Sequence, residues 1–170
     1  QEAEQKLSTY SSRNKIELHL IGGLQKNKVR KAVKIFDVIQ TVDSISLAKR
    51  INRIAKEEGK SQKIYLQVNT GLDPLKKGFG PTEILQSAKE ISTLKNISID
   101  GIMMIPTHIK INDKYRKIYS DTRKIRDQLI QTGIRSCENL SMGMSRDFQL
   151  AVEEGATHIR IGTALFGDRS

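Results

Sequence analysis

Strand-like and helix-like segments alternate along this chain. That alternation predicts an α/β fold, a parallel sheet with helices packed outside it. Three observations carry the expectation. Apolar runs of strand length recur at 16–21, 36–42, 64–69, 97–105, 139–144 and 157–161. Segments with helical spacing fill the gaps between them. The runs Ile99-Asp-Gly-Ile-Met-Met-Ile-Pro106 and His158-Ile-Arg-Ile-Gly162 are apolar on both alternating faces, as strands covered on both sides require.

The helices follow in order. The segment 27–35 is short and basic. In 44–58, Ile45, Ala48, Ile51, Ile54 and Ala55 share one face, with Ser44 as N-cap and Gly59 as stop. Pro81 opens the helix expected over 81–94. The segment 112–132 is long and charged and ends at Gly133. Ser145 is the expected N-cap of a last helix over 146–154, which ends at Gly155. No low-complexity stretch or linker divides the chain, so residues 1–170 read as one domain. Gln1 begins inside what reads as a helix, with no strand before it. From periodicity alone, the sheet is either doubly wound or part of a closed barrel.

Composition narrows the function. The chain has 170 residues, no Trp and a hydrophobic fraction of 37%, so its core is aliphatic. No apolar run approaches the ~20 residues of a membrane span. The single cysteine, Cys137, cannot form an internal disulfide, which fits a reducing cytoplasm. The net charge of +10 admits a polyanionic partner. Its densest patch is Lys26, Lys28, Arg30, Lys31 and Lys34. No aromatic residue sits among them to stack on bases, and a lysine-rich solvated surface explains them as well.

The chemistry concentrates at the last two strand ends. Leu140-Ser-Met-Gly-Met-Ser-Arg-Asp147 and Arg160-Ile-Gly-Thr-Ala-Leu-Phe-Gly167 each place small residues and backbone N–H groups just past a strand. Such ends suit a phosphate, although ordinary capping explains either alone. Arg160 stands between Ile159 and Ile161. A buried arginine there needs either an ion-pair partner, such as Glu138 or Asp43, or a ligand such as the ring nitrogen of a pyridine cofactor. His19 ends the first strand before Gly22-Gly23 and is either a site-lining residue or a satisfied hydrogen-bonder. His108 and His158 receive no role. Gly71–Gly80 is a lid or a surface loop, with Lys76 and Lys77 available to a second anion. No cluster has metal-ligand spacing.

Six motifs in order identify a resemblance. They are HLIGGLQKNK from His19, QTVDS from Gln40, KKGF from Lys76, GIMMIP from Gly101, LSMGMSRDF from Leu140 and RIGTALFG from Arg160. Together they resemble the pyridoxal phosphate homeostasis protein family, which is similar to the N-terminal barrel domain of alanine racemase. The resemblance implies a (β/α)8 barrel of the TIM type, of which the first two strands are absent here and the six visible strands are the third to the eighth.

It implies pyridoxal 5′-phosphate as cofactor. Ser145, Gly162 and Thr163 would meet the phosphate, Arg160 the pyridine nitrogen, and Met144 and His19 would line the site. It assigns no catalytic residue, because the family's Schiff-base lysine ends its first strand and no lysine here holds that position. An arginine-facing nitrogen makes a weak electron sink. The implied role is therefore binding and delivering vitamin B6, with pyridoxal-phosphate-dependent apoenzymes as recipients and a monomer or weak dimer as the assembly. A racemase-like enzyme on the same barrel is the alternative, and a basic nucleic-acid-binding protein the second.

Overall fold

The computed structural model describes residues 16–106 and 113–167. The helix expected at Gln1 and the residue His108 lie outside them.

Among the described residues a sheet of six parallel strands runs in the order β1-β2-β3-β4-β5-β6. The strands are β1 (His19–Leu20), β2 (Val38–Val42), β3 (Gln62–Val68), β4 (Ile97–Met104), β5 (Asn139–Met144) and β6 (His158–Arg160). Among the described residues the helices are α1 (Val29–Ile35), α2 (Ile45–Glu57), α3 (Ile84–Ser92), α4 (Asp113–Gln131), α5 (Phe148–Glu153) and α6 (Thr163–Phe166). A 3-10 turn, Lys26–Lys28, leads into α1.

The strand order decides between the two topologies left open. A doubly wound sheet reverses direction at a switch point. Here the order never reverses, so the units wind one way, as in a barrel. Curvature gives the second sign. The His19 and His158 rings, on the first and last strands, lie 5.5 Å apart. A flat six-stranded sheet would hold its edges some 20 Å or more apart at ~4.8 Å per strand.

Alternation along each strand builds two cores. Ile39 and Val42 on β2, Ile64, Leu66 and Val68 on β3, and Ile99, Ile102 and Met104 on β4 face outward onto the helices. Helix α2 answers with Leu47, Ala48, Ile51, Ile54 and Ala55, the stripe its spacing predicts. Each such buried aliphatic side chain is worth roughly 1.5–3 kcal/mol relative to exposure. The inner face carries a smaller apolar cluster of Val38, Tyr65 and Met103, with Ile105 packed against it. The polar side chains of His19, Gln40, Ser141 and Arg160 share that face.

Helix ends agree with the sequence in part. Ser44 caps α2 by accepting the Leu47 N–H at 3.3 Å, and Gly59 has φ +67°. Pro81 does not open α3. That helix begins at Ile84, and Glu83 instead accepts the Gly80 N–H at 2.9 Å. Ser145 is not the cap of α5 either. Asp147 holds that position, and Ser145 is drawn toward the next strand end. The expected turn after β6 contains the short helix α6.

The basic patch is partly neutralised. Arg30 pairs with Glu57 and Glu58 at the end of α2, and Lys34 with Glu58 at 3.5 Å. Among the described residues no helix is long and apolar enough to cross a membrane. None of their His, Cys, Asp and Glu side chains cluster as a metal site.

Gly143 has φ +90°, and a Cβ there would lie 2.5 Å from the Ala151 Cβ and 3.1 Å from the Phe148 Cα. Gly143→Ala therefore combines backbone strain with a collision against α5. It should cost about 2–4 kcal/mol, read as a lower urea midpoint. Cys137 is fully buried, and burial pushes its thiol up to about 12. Iodoacetamide at pH 8 should leave the native thiol unmodified and alkylate it only in denaturant, because the thiolate is the reactive form.

Candidate functional site

Strands β5 and β6 end side by side, with Met144 in register with Arg160. The chain then turns at Ser145 and at Gly162. The Ser145 hydroxyl oxygen accepts the backbone N–H groups of Gly162 at 3.2 Å and of Ala164 at 3.3 Å. The two strand ends named from sequence thus meet at one oxygen, which accepts from Gly162 and Ala164. The Ser145 proton stays available to an anion. Thr163 is the first residue of α6, so its own N–H lies outside the helix ladder. A Cβ built on Gly162 would meet nothing within 4 Å, so the space in front of this turn is open.

Asp147 fixes the loop from behind. Its carboxylate accepts the Met144 N–H at 2.5 Å, and its own N–H donates to the Met144 carbonyl at 3.0 Å. Asp147 is buried, as is Tyr119 of α4. Among the described residues the Tyr119 hydroxyl has no hydrogen-bond partner. Burial first, and then the nearby Asp147 carboxylate, raise its pKa, so it stays protonated.

Arg160 lies on the inner face and reaches back across β5. One guanidinium nitrogen donates to the Ser141 hydroxyl at 2.9 Å, and the other to the Met104 carbonyl at 2.7 Å. Neither Glu138 nor Asp43 is its partner, which corrects the ion-pair expectation. Glu138 instead offers its carbonyl to Arg126 at 2.7 Å. Burial lowers the Arg160 pKa, while Tyr119 and Asp147 oppose that shift. The group remains a cation, because arginine does not deprotonate in proteins.

Behind Arg160 the chain of contacts continues. The Ser141 hydroxyl donates to the Gln40 Oε1 at 2.6 Å. The Gln40 Nε2 faces the His19 Nδ1 at 2.6 Å, and the His19 Nε2 faces the Glu17 carboxylate at 3.0 Å. His19 also lies edge-on to the Tyr65 ring, with centroids 6.1 Å apart. His19 is therefore hydrogen-bonded at both ring nitrogens and linked to Arg160 through Gln40 and Ser141. His158, left without a role, packs against both rings; burial, then the facing His19, lower its pKa.

Sequence reasoning missed Gln40, Ser141 and Asp147. A signal existed for the first two. Gln40 interrupts the apolar run Val38-Ile-Gln-Thr-Val42, and Ser141 alternates with Leu140 and Met142. A polar side chain on a covered strand asks for a partner.

The long loop after β3 is pinned. The Asn69 side chain holds the Asp73 carbonyl at 2.8 Å, and an isolated bridge ties Val68 to Phe79. The Lys76 ammonium donates to the carbonyls of Ile105 and Pro106, and burial lowers its pKa. It is thus committed to backbone acceptors rather than to a second anion. Lys77 lines a separate pocket of about 520 Å³ with Lys26, Asn27, Asp43 and Ser44.

Known proteins resemble this chain in sequence and in fold. The profile of the alanine racemase N-terminal domain matches residues 2–170. The pyridoxal phosphate homeostasis protein of Synechocystis sp. is 36% identical over 170 residues, covering 99% of this chain and 78% of that protein. The protein of the same name from Vibrio alginolyticus is 35% identical over 156 residues, 92% of this chain. The match spans 66% of that relative's own length. Among solved structures, PipY of Synechococcus elongatus with PLP bound superposes with a TM-score of 0.89 at 40% identity. That match covers 98% of this chain and 77% of PipY. Six one-way-wound βα units, the sequence match along the chain and the close superposition agree: the chain belongs to the alanine racemase N-terminal domain family and, within it, to the pyridoxal phosphate homeostasis proteins.

Proposed function

We propose that this chain binds pyridoxal 5′-phosphate at the C-terminal ends of β5 and β6 and serves homeostasis of that cofactor in the cytoplasm. Its role is to hold and release the cofactor, with pyridoxal-phosphate-dependent apoenzymes as recipients, and not to turn over a substrate. One observation carries the reading. The Ser145 hydroxyl gathers the Gly162 and Ala164 N–H groups at an open strand end, while Arg160 presents a cation on the inner face beside it. The relatives' names and the PLP bound to PipY support the same ligand.

In this reading Ser145, Gly162 and Thr163 meet the phosphate. Ser145 gives its proton and Thr163 its backbone N–H, while Gly162, whose N–H holds the serine oxygen, borders the phosphate. Arg160 meets the pyridine nitrogen, and Met144 and His19 complete the walls. Bound pyridoxal phosphate supplies an electron sink. A permanently protonated arginine donates to the ring nitrogen without giving up its proton, so the nitrogen stays uncharged and the sink stays weak. That chemistry favours storage over racemisation. The ion pairs of Arg30 and Lys34 weaken the nucleic-acid reading, since these cations are partly neutralised already.

The assignment is tested by titrating the protein with pyridoxal phosphate and with pyridoxal, which lacks the phosphate. Ser145→Ala should weaken pyridoxal phosphate binding roughly tenfold, the worth of one charge-assisted hydrogen bond, and leave pyridoxal binding unchanged. Equal losses for both ligands, with circular dichroism unaltered, would show that Ser145 does not contact the phosphate.

A further inference from the structure

We infer that Gln40 and Ser141 are positioning residues for Arg160, forming a relay that crosses the barrel interior and aims the guanidinium at the cofactor ring. The inference rests on the reading above, in which Arg160 meets the ring nitrogen. The relay runs from β1 through β2 to β5 and β6. Its links are His19 to Gln40, Gln40 to Ser141 and Ser141 to Arg160, at 2.6, 2.6 and 2.9 Å.

The polarity of this relay is determined at every link. Arginine only donates, so the Ser141 oxygen must accept from it. The Ser141 proton is then directed to Gln40, whose Oε1 accepts it. Gln40 consequently turns its Nε2 toward His19, whose Nδ1 accepts while its Nε2 donates to Glu17. Reversing the Gln40 amide would set its oxygen against the His19 lone pair. The Glu17 carboxylate therefore selects the His19 tautomer, and that tautomer orients everything downstream.

Burial makes the relay costly unless it serves something. Gln40 is 2% exposed and Ser141 1%, so water cannot replace a lost partner. An apolar pair of the same shape would leave the Arg160 donor and the His19 acceptor unpaired. What the polar pair adds is a fixed acceptor for Arg160. With the Met104 carbonyl at 2.7 Å it holds two corners of a planar, rigid group. The remaining N–H donors of Arg160 are then confined to one direction. No carboxylate is needed for this, which keeps the cation's charge directed at the ligand.

The test compares two ligands by fluorescence titration: pyridoxal phosphate and its benzene analogue, in which C–H replaces the ring nitrogen. The readout is the ratio of their dissociation constants. Arg160→Ala should lower the preference for the pyridine ring about tenfold. Ser141→Ala and Gln40→Met should each lower it by most of that factor and leave the analogue's own binding within about twofold. Ser141→Thr, which keeps the hydroxyl, should retain the preference. Adding Ser141→Ala to Arg160→Ala should cost nothing further, because the serine acts through the arginine. If Ser141→Ala fails to fold, Gln40→Met removes the same hydrogen bond from its other end and is read identically. An unchanged ratio in Arg160→Ala would defeat the ring-nitrogen reading itself. A collapsed ratio in Arg160→Ala with an intact one in Ser141→Ala and Gln40→Met would defeat the positioning inference alone. Equal weakening of both ligands would make Gln40 and Ser141 merely structural and overturn it too.

Discussion

The hydrogen bond between Ser141 and Gln40 joins two strands that are not neighbours in the sheet. Strands β2 and β5 are separated by β3 and β4, yet their buried side chains meet at 2.6 Å. This contact exists only because the sheet curls. Curling in turn needs a convex face that helices can cover and a concave face that its own side chains can fill. The outward Ile, Leu and Val of β2, β3 and β4 provide the first, matched by the apolar stripe of α2. The inner face is filled by Tyr65, Met103 and Val38 on one side and by the polar relay on the other.

Placing polar groups in that interior carries a cost, and each is met by a partner of the right kind. Among the described residues Arg160 bonds to a hydroxyl and a carbonyl oxygen and to no acid. Its charge is also favoured by Asp147, which sits behind the loop and holds the Met144 N–H. Asp147 therefore acts on both parts of the site. It fixes the backbone that carries Ser145, and it raises the negative potential around the cation. Tyr119, buried beside it with a raised pKa, stays neutral and adds no competing charge.

The surface charges follow a different logic. The ion pairs of Arg30 with Glu57 and Glu58, and of Arg116 with Glu153 and Glu154, tie successive helices of the outer layer together. Exposed pairs of this kind are worth little each, on the order of 0.2–1 kcal/mol. They arrange the outer layer and use up part of the chain's positive charge. At its centre the inner relay has no such redundancy, because Gln40 and Ser141 each have one partner on either side.

Periodicity in the sequence determined the number of units and their class. Alternating apolar runs can bury two faces only as parallel strands under helices, and that constraint is local to each segment. The motif order also determined the family, and the Ser145 and Arg160 segments could be named as a pair before any coordinates. Tertiary structure alone decided the rest. Ser145 as an N-cap was a reasonable local reading, but the oxygen was claimed by the N–H groups of Gly162 and Ala164 on the next unit. Lys76 read as a free cation until the loop folded it onto the carbonyls of Ile105 and Pro106. Gln40 stands 101 residues before Ser141, and no spacing rule links them. Patterns in a chain report which face of an element is buried. Which side chains meet across the interior depends on curvature and strand register, and these are properties of the whole sheet.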